Sequence, residues 1–220
     1  MVGEKLEQVR QRIAEAARRA GRDPSGVRLI GVTKGVPVER IREAIACGMS
    51  EIGENRVQEA ALKQSEIGRK VRWHLIGHLQ RNKAKMAAEL FDVIHSVDSL
   101  ELVERLGSLA HPSEVLIQVN ISGEATKHGC WPEEAEKLAE AVMKTKYLKW
   151  VGLMTMAPYS ENPEDSRPVF RQLRQFRDQL QKRFSNAPLQ LGLSMGMSQD
   201  FEVAVEEGAT MVRIGTAIFG

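Results

Sequence analysis

Three short stretches carry residue types whose placement could do chemistry. The first is "LIGVTKGVP", residues 29–37, where Lys34 follows Leu29, Ile30, Gly31 and Val32, a run suited to a buried strand. An amine at the end of such a strand can pair with a buried carboxylate, hold a phosphate as a point charge, or condense with an aldehyde to a Schiff base. An apolar setting would depress an amine's pKa and make it a better nucleophile. The second stretch is "LSMGMSQD", residues 193–200, in which Ser194, Met195, Gly196 and Met197 lead to Ser198 as a helix N-cap. Unpaired N–H groups and the helix dipole favour an anion at such a start. The third is "VRIGTAIFG", residues 212–220, with a short turn at Gly215 and Thr216. Tight turns with a routine cap would use the same residues, and Asp200 would itself satisfy the dipole. A Schiff-base lysine together with a phosphate cradle points to an aldolase or a pyridoxal phosphate protein.

Such residues need a scaffold that brings them together. The opening stretch over 4–20 has apolar residues at a helical period and stops at Gly21. Eight short apolar runs follow, beginning at "VRLIGVT" and ending at "TMVRIG", and the seventh of them, "LQLGLSM", begins at Leu189. Amphipathic helical stretches separate them at 38–47, 55–68, 80–89, 99–110, 132–146, 164–185 and 198–207, with "TAIFG" as a final stub. Strict alternation implies parallel pairing through helical crossovers. Eight units predict an α/β fold: a single (β/α)8 TIM barrel with an extra N-terminal helix, taking residues 1–220 as one domain. The alternative is an open doubly wound sheet, whose GxGxxG signature is missing after the first strand. In a barrel the strand C-termini build the site, and Lys34 and both turns stand at strand ends.

Composition excludes several classes. The chain has 220 residues, a net charge of +2, 42% hydrophobic and 27% charged residues, so nothing marks a nucleic-acid or membrane surface. No apolar run approaches the ~18 residues of a membrane span, and the N-terminus lacks the apolar core of a signal peptide. Cys47 and Cys130 have no motif spacing, which points to a reduced cytoplasmic compartment. Cys47 is expected to be buried on a helix.

Seven segments, "GVTKGVP", "IGENRVQEA", "WHLIGHLQRNK", "HSVDS", "VLIQVNISGEATKHG", "GLMTMAP" and "LSMGMSQDFEVAVEEGATMVRIGTAIFG", together resemble the pyridoxal phosphate homeostasis protein family. This is the YggS type of bacteria and the proline synthetase co-transcribed homologue of humans. The resemblance implies the barrel of alanine racemase without that enzyme's second domain. It further implies pyridoxal 5'-phosphate (PLP) as cofactor, held as a covalent aldimine on Lys34. Ser194, Met195, Gly196, Met197 and Ser198 match the first phosphate-binding turn, and Gly215 and Thr216 the second. Arg213 matches an arginine facing the pyridine nitrogen, Asn55 an asparagine near the phenolic oxygen, and His74 and Met154 residues lining the pocket. The implied function is intracellular PLP homeostasis, by storage, buffering or delivery without robust turnover. PLP-dependent apoenzymes would be acceptors, and a monomer is expected because the dimer-forming domain is absent. The alternative is a weak or narrow amino-acid racemase. "VTKGVP" departs from the commoner "VSKTKP" and so lacks a second lysine beside Lys34. His78 stands where many relatives have a smaller residue.

Arg213 bears on the choice between these readings. Arginine only donates hydrogen bonds and stays charged, so a pyridine nitrogen facing it cannot also carry a proton and is a weak electron sink. Racemization would need a second acid/base, for which Tyr159 is the one candidate; Tyr147 stands at a helix end. Metal ligation by His74 and His78 is not expected, because their spacing falls on a strand and lacks the HExxH glutamate. His95 and Asp98 could form an acid/base pair, although strand-end packing and an N-cap at Asp98 or Ser99 explain them more simply. The basic helix from 164 reads as a solvated surface.

Overall fold

A computed structural model describes residues 1–124, 127–184 and 190–220. β1 (Arg28–Val32) pairs in parallel with β2 (Glu51–Glu54) on one side and with β8 (Met211–Ile214) on the other, so the sheet closes on itself. Between them run β3 (Arg72–Leu75), β4 (Val93–Val97), β5 (Ser113–Gln118), β6 (Leu148–Met154) and β7 (Gly192–Ser194), all in sequence order. The barrel expected from the alternation is thus present. Its crossovers are α2 (Val38–Ala46), α3 (Val57–Ile67), α4 (Ala84–Leu90), α5 (Leu100–Gly107), α6 (Pro132–Lys144), α7 (Arg167–Arg183) and α8 (Phe201–Glu206), preceded by α1 (Val2–Arg19) and closed by the stub α9 (Thr216–Phe219).

Local chemistry explains where the helices depart from the expected bounds. α4 and α7 each begin after a 3-10 turn, Arg81–Lys83 and Pro163–Ser166. α8 begins at Phe201 because Asp200, not Ser198, takes its N-cap position. Cys47 is exposed rather than buried: α2 stops one residue before it, and Gly48 turns the chain with φ 83°. The last residue of the helix expected over 164–185, and Leu189 at the head of "LQLGLSM", lie outside the described residues.

Strand side chains alternate between two cores. The larger lies between strands and helices and includes Leu6, Trp73, Phe91, Phe170 and Phe201. The smaller fills the barrel interior with Ile30, Val93, Leu116, Met154 and Met211, one each from β1, β4, β5, β6 and β8. The interior is therefore a packed plug, and ligand chemistry is confined to its mouth.

α1 has a positional role. The closing helix α9 has only four residues, too few to cover β8 and β1 by itself. α1 packs on α2, α8 and α9 through Leu6, Val9 and Ile13. Arg12 pairs with Glu202 at 2.9 Å, Arg19 with Glu206 at 2.9 Å, and Lys5 bonds the carbonyl of Gly220. Arg40 Nη1 donates to Phe219 O at 2.5 Å. The turn after β8 is thus anchored from two sides. On α7, Arg167, Arg171 and Arg174 converge on Glu207 at 3.2, 2.8 and 3.2 Å, an intramolecular network on a face that stays largely solvated, as Arg171 is 52% exposed. Among the described residues no helix is long and apolar enough to cross a membrane.

Truncating Leu6, fully buried on α1, to Ala is expected to lower unfolding free energy by about 2–5 kcal/mol in a denaturant titration. Leu62→Ala, at a side chain 72% exposed, is expected to change it by less than about 0.5 kcal/mol.

Candidate functional site

Lys34 sits in a turn at the end of β1 and is exposed. The turn is closed by Val36 N–H donating to Thr33 O at 2.9 Å, with Gly35 at φ 67°, a conformation open to glycine. A buried ion cluster braces it from below. Lys63 Nζ donates to Thr33 O (2.5 Å), Glu54 Oε1 (2.8 Å) and Glu59 Oε1 (2.6 Å). Thr33 Oγ1 donates to Glu54 Oε1 at 2.5 Å, and Gly35 N–H to Glu59 Oε1 at 2.7 Å. Burial raises the Glu54 carboxyl despite its bonds to Lys63 and Thr33; burial also acts on Glu59, but Lys63 and the Gly35 amide outweigh it and lower that group. Lys63 was not legible as a site residue. The available signal was its i,i+4 spacing from Glu59 on a helix face that also buries Ala60 and Ile67.

Across the mouth, the turns after β7 and β8 meet. Gly196 adopts φ 91°, and a Cβ there would stand 2.5 Å from Ala204 Cβ and 3.0 Å from Phe201 Cα, so only glycine lets the turn seat on α8. Met195 is buried beside it, while Met197 is exposed and its N–H donates to Asp200 Oδ1 at 2.7 Å. Ser198 Oγ accepts from Gly215 N–H at 3.3 Å and Ala217 N–H at 3.4 Å. These bonds are long, so both amides and the hydroxyl can turn to an anion between the two loops. Thr216 is exposed beside them.

Ser194, expected in the phosphate-binding turn, turns its hydroxyl inward. Its hydroxyl lies 2.6 Å from Arg213 Nη1 and 2.9 Å from His95 Nδ1, inside the barrel. His95 Nε2 is 2.9 Å from His74 Nδ1, and His74 Nε2 is 2.9 Å from Glu51 Oε2, although that last pair is poorly aligned for a full hydrogen bond. His74 is completely buried, so it reaches the mouth only through His95 and Ser194. The two ends of this chain fix its polarity. Arg213 can only donate and the Glu51 carboxylate can only accept, so Ser194 O–H donates to His95 Nδ1, His95 Nε2–H to His74 Nδ1, and His74 Nε2–H points at Glu51. Both inner links are made with both imidazoles neutral. Burial lowers both histidines, His95 strongly, and the charges of Arg213 and Arg72 add to the effect on His95. Burial tends to raise Glu51, but the His74 contact and the charges of Arg28 and Arg72 hold it below the ordinary range.

Arg213 is 4% exposed and its Nη2 donates to Thr155 O at 2.9 Å. Burial lowers it to about 10, so it keeps its charge at neutral pH. Asn55, half-buried after β2, is pressed by Gly77, where a Cβ would lie 2.3 Å from Asn55 O. Met154 belongs to the apolar plug beneath the mouth. His95 and Asp98 do not pair: His95 faces inward, Asp98 faces His78, and Ser99 takes the N-cap position of α5 without a side-chain bond. Tyr159 is 74% exposed, its hydroxyl 3.5 Å from Gln199 Nε2. A cavity of about 900 Å³ opens at the opposite barrel end, where Arg72 and Lys149 pair with Glu114 and Arg69 with Asp92.

Residues 5–220 match the family model "Alanine racemase, N-terminal domain". The pyridoxal phosphate homeostasis protein of Aquifex aeolicus is 47% identical over 226 residues, covering 99% of this chain and 96% of that protein. This chain belongs to the pyridoxal phosphate homeostasis protein family. Two solved structures of PipY from Synechococcus elongatus PCC7942, one without PLP and one with PLP bound, superpose with TM-scores of 0.87 and 0.85 at 40% and 39% identity, each over the whole of both chains. The homeostasis-protein barrel expected from the motifs is therefore the one observed.

Two outcomes test the internal architecture of this family member. Lys63→Met strands Glu54 in the interior and is expected to destabilise by about 3–5 kcal/mol in denaturant unfolding. The unfolded chain protonates its histidines near pH ~6.5 while buried His74 and His95 resist. Folding stability is thus level above that pH and falls as pH drops below it. In His95→Leu, stability at pH 8 is expected to be lower by about 1–3 kcal/mol, and its further loss between pH 7 and 5 smaller than in the wild type.

Proposed function

We propose that this chain binds PLP at the barrel mouth, covalently through Lys34, and holds it for storage, buffering or delivery instead of turning substrate over. The residues suit the group. The Lys34 amine is exposed and can condense with an aldehyde, releasing water and forming an imine. Ser198 Oγ with the Gly215 and Ala217 amides, and Thr216 beside them, suits a phosphate, and Gly196 keeps the loop close. We assign Asn55, half-buried after β2, to the ring's phenolic oxygen, and Met154 and the buried His74 to the floor beneath it. Bound PLP supplies an electron sink for carbanions at an amino-acid α-carbon when its ring nitrogen is protonated.

The observation that carries the non-catalytic reading is Arg213. A charged donor aimed at the ring nitrogen keeps that nitrogen an acceptor, which weakens the sink. Ser194 and Thr155 O hold the guanidinium in place. A racemase also needs a second acid/base held against the opposite ring face, and Tyr159 is exposed with only Gln199 near its hydroxyl. The exposure of Lys34 suits release to an acceptor, which we take to be a PLP-dependent apoenzyme in the cytoplasm, with this protein acting as a monomer.

Borohydride reduction of the PLP-loaded protein, followed by peptide mass mapping, is expected to place the pyridoxyl adduct on Lys34. Lys34→Ala is expected to lose the imine absorbance band. An adduct on another lysine, or an unchanged band in the variant, contradicts the assignment.

A further inference from the structure

Outside the mouth site, the described residues bring three metal-ligating side chains together at the C-terminal rim: His78 after β3, Asp98 after β4 and His128 in the loop after β5. One ligand atom from each lies within 4.8 Å of the others. His78 Nδ1 is 3.4 Å from Asp98 Oδ2, and the His78 and His128 rings stack with centroids 4.3 Å apart and planes 10° apart. A simple His78–Asp98 ion pair explains the first contact but not the second imidazole, drawn alongside the same carboxylate.

The geometry fits an ion. Zinc bonds to nitrogen and oxygen of about 2.0–2.1 Å in a tetrahedron imply a ligand–ligand edge of about 3.4 Å, and His78 and Asp98 already stand at that separation. His128 must turn out of its stack on His78 and move inward, which its exposed position permits. The frame beneath is held. Gln118 Nε2 donates to His128 O at 3.1 Å, and the loop at Gly77 packs directly on the Asn55 backbone. Two imidazoles and one carboxylate suit zinc-class ions, whereas calcium and magnesium prefer oxygen ligands throughout. The sequence spacing of His74 and His78 fails as a ligand pair because His74 is sealed inside the barrel; His78 finds its partners in other loops.

We propose that His78, Asp98 and His128 form a binding site for a zinc-class divalent transition ion, with its remaining coordination positions open to water or a small ligand. This site uses none of the residues assigned to PLP and stands independently of that reading.

Titrating Zn2+ into the full-length, tag-free protein by calorimetry tests it. One ion per chain is expected to bind. His78→Ala and Asp98→Asn are each expected to weaken binding at least about tenfold, and Cys47→Ser, which removes the exposed thiol, to leave it unchanged. Absence of a saturable heat, binding that survives both His78→Ala and Asp98→Asn, or binding abolished by Cys47→Ser overturns the proposal.

Discussion

A guanidinium sealed inside a protein is the constraint around which this barrel is organised. Arg213 is buried to 4% exposure and stays charged, and among the described residues no carboxylate bonds it directly. A serine hydroxyl and a backbone carbonyl take its protons instead. Serine has one proton to pass on, and so it must meet an acceptor; His95 supplies one, and His74 and Glu51 continue the line to the far end of the barrel. A line of neutral groups thus runs from the buried cation to the Glu51 carboxylate, while the negative charge that acts on Arg213 through space is that of Asp200. The guanidinium fork is thus not closed off by a bidentate carboxylate.

The lysine side of the mouth is organised the opposite way. Its charges are in contact: Lys63 touches Glu54 and Glu59 and thereby fixes the carbonyl of Thr33 and the amide of Gly35. The rigid cluster carries an exposed amine on a short turn. A fixed backbone with a free side chain suits a group that must be reached from solution and then hold one position. The mouth thus sets an exposed amine on a braced turn at one strand end and an anchored guanidinium at another.

Much of this was legible in the sequence because it rests on local patterns. The alternation of apolar runs with amphipathic stretches gave eight units and a barrel, and glycine and serine at two strand ends marked the turns where Ser198 meets the Gly215 amide. What was not legible depends on which residues the closed sheet brings face to face. Ser194 and Ser198 look alike in "LSMGMS", yet strand alternation sends the first inward to Arg213 and the turn sends the second outward. His74, His95 and Glu51 come from three different strands, and only the parallel register aligns them. Cys47 read as a buried helical residue, but the helix ends one position too early. Lys63, nine residues beyond Glu54, becomes a site residue only once α3 folds back over β2.

The account's central claim is that Arg213 makes this mouth a holder of PLP and not a reactor. Proton NMR of an amino acid such as L-alanine, incubated in D2O with the PLP-loaded protein, tests that claim most directly. Retention of the α-proton, with PLP still bound, is the predicted result. Exchange of the α-proton for deuterium on repeated turnover, especially exchange that disappears with Tyr159→Phe, would contradict it.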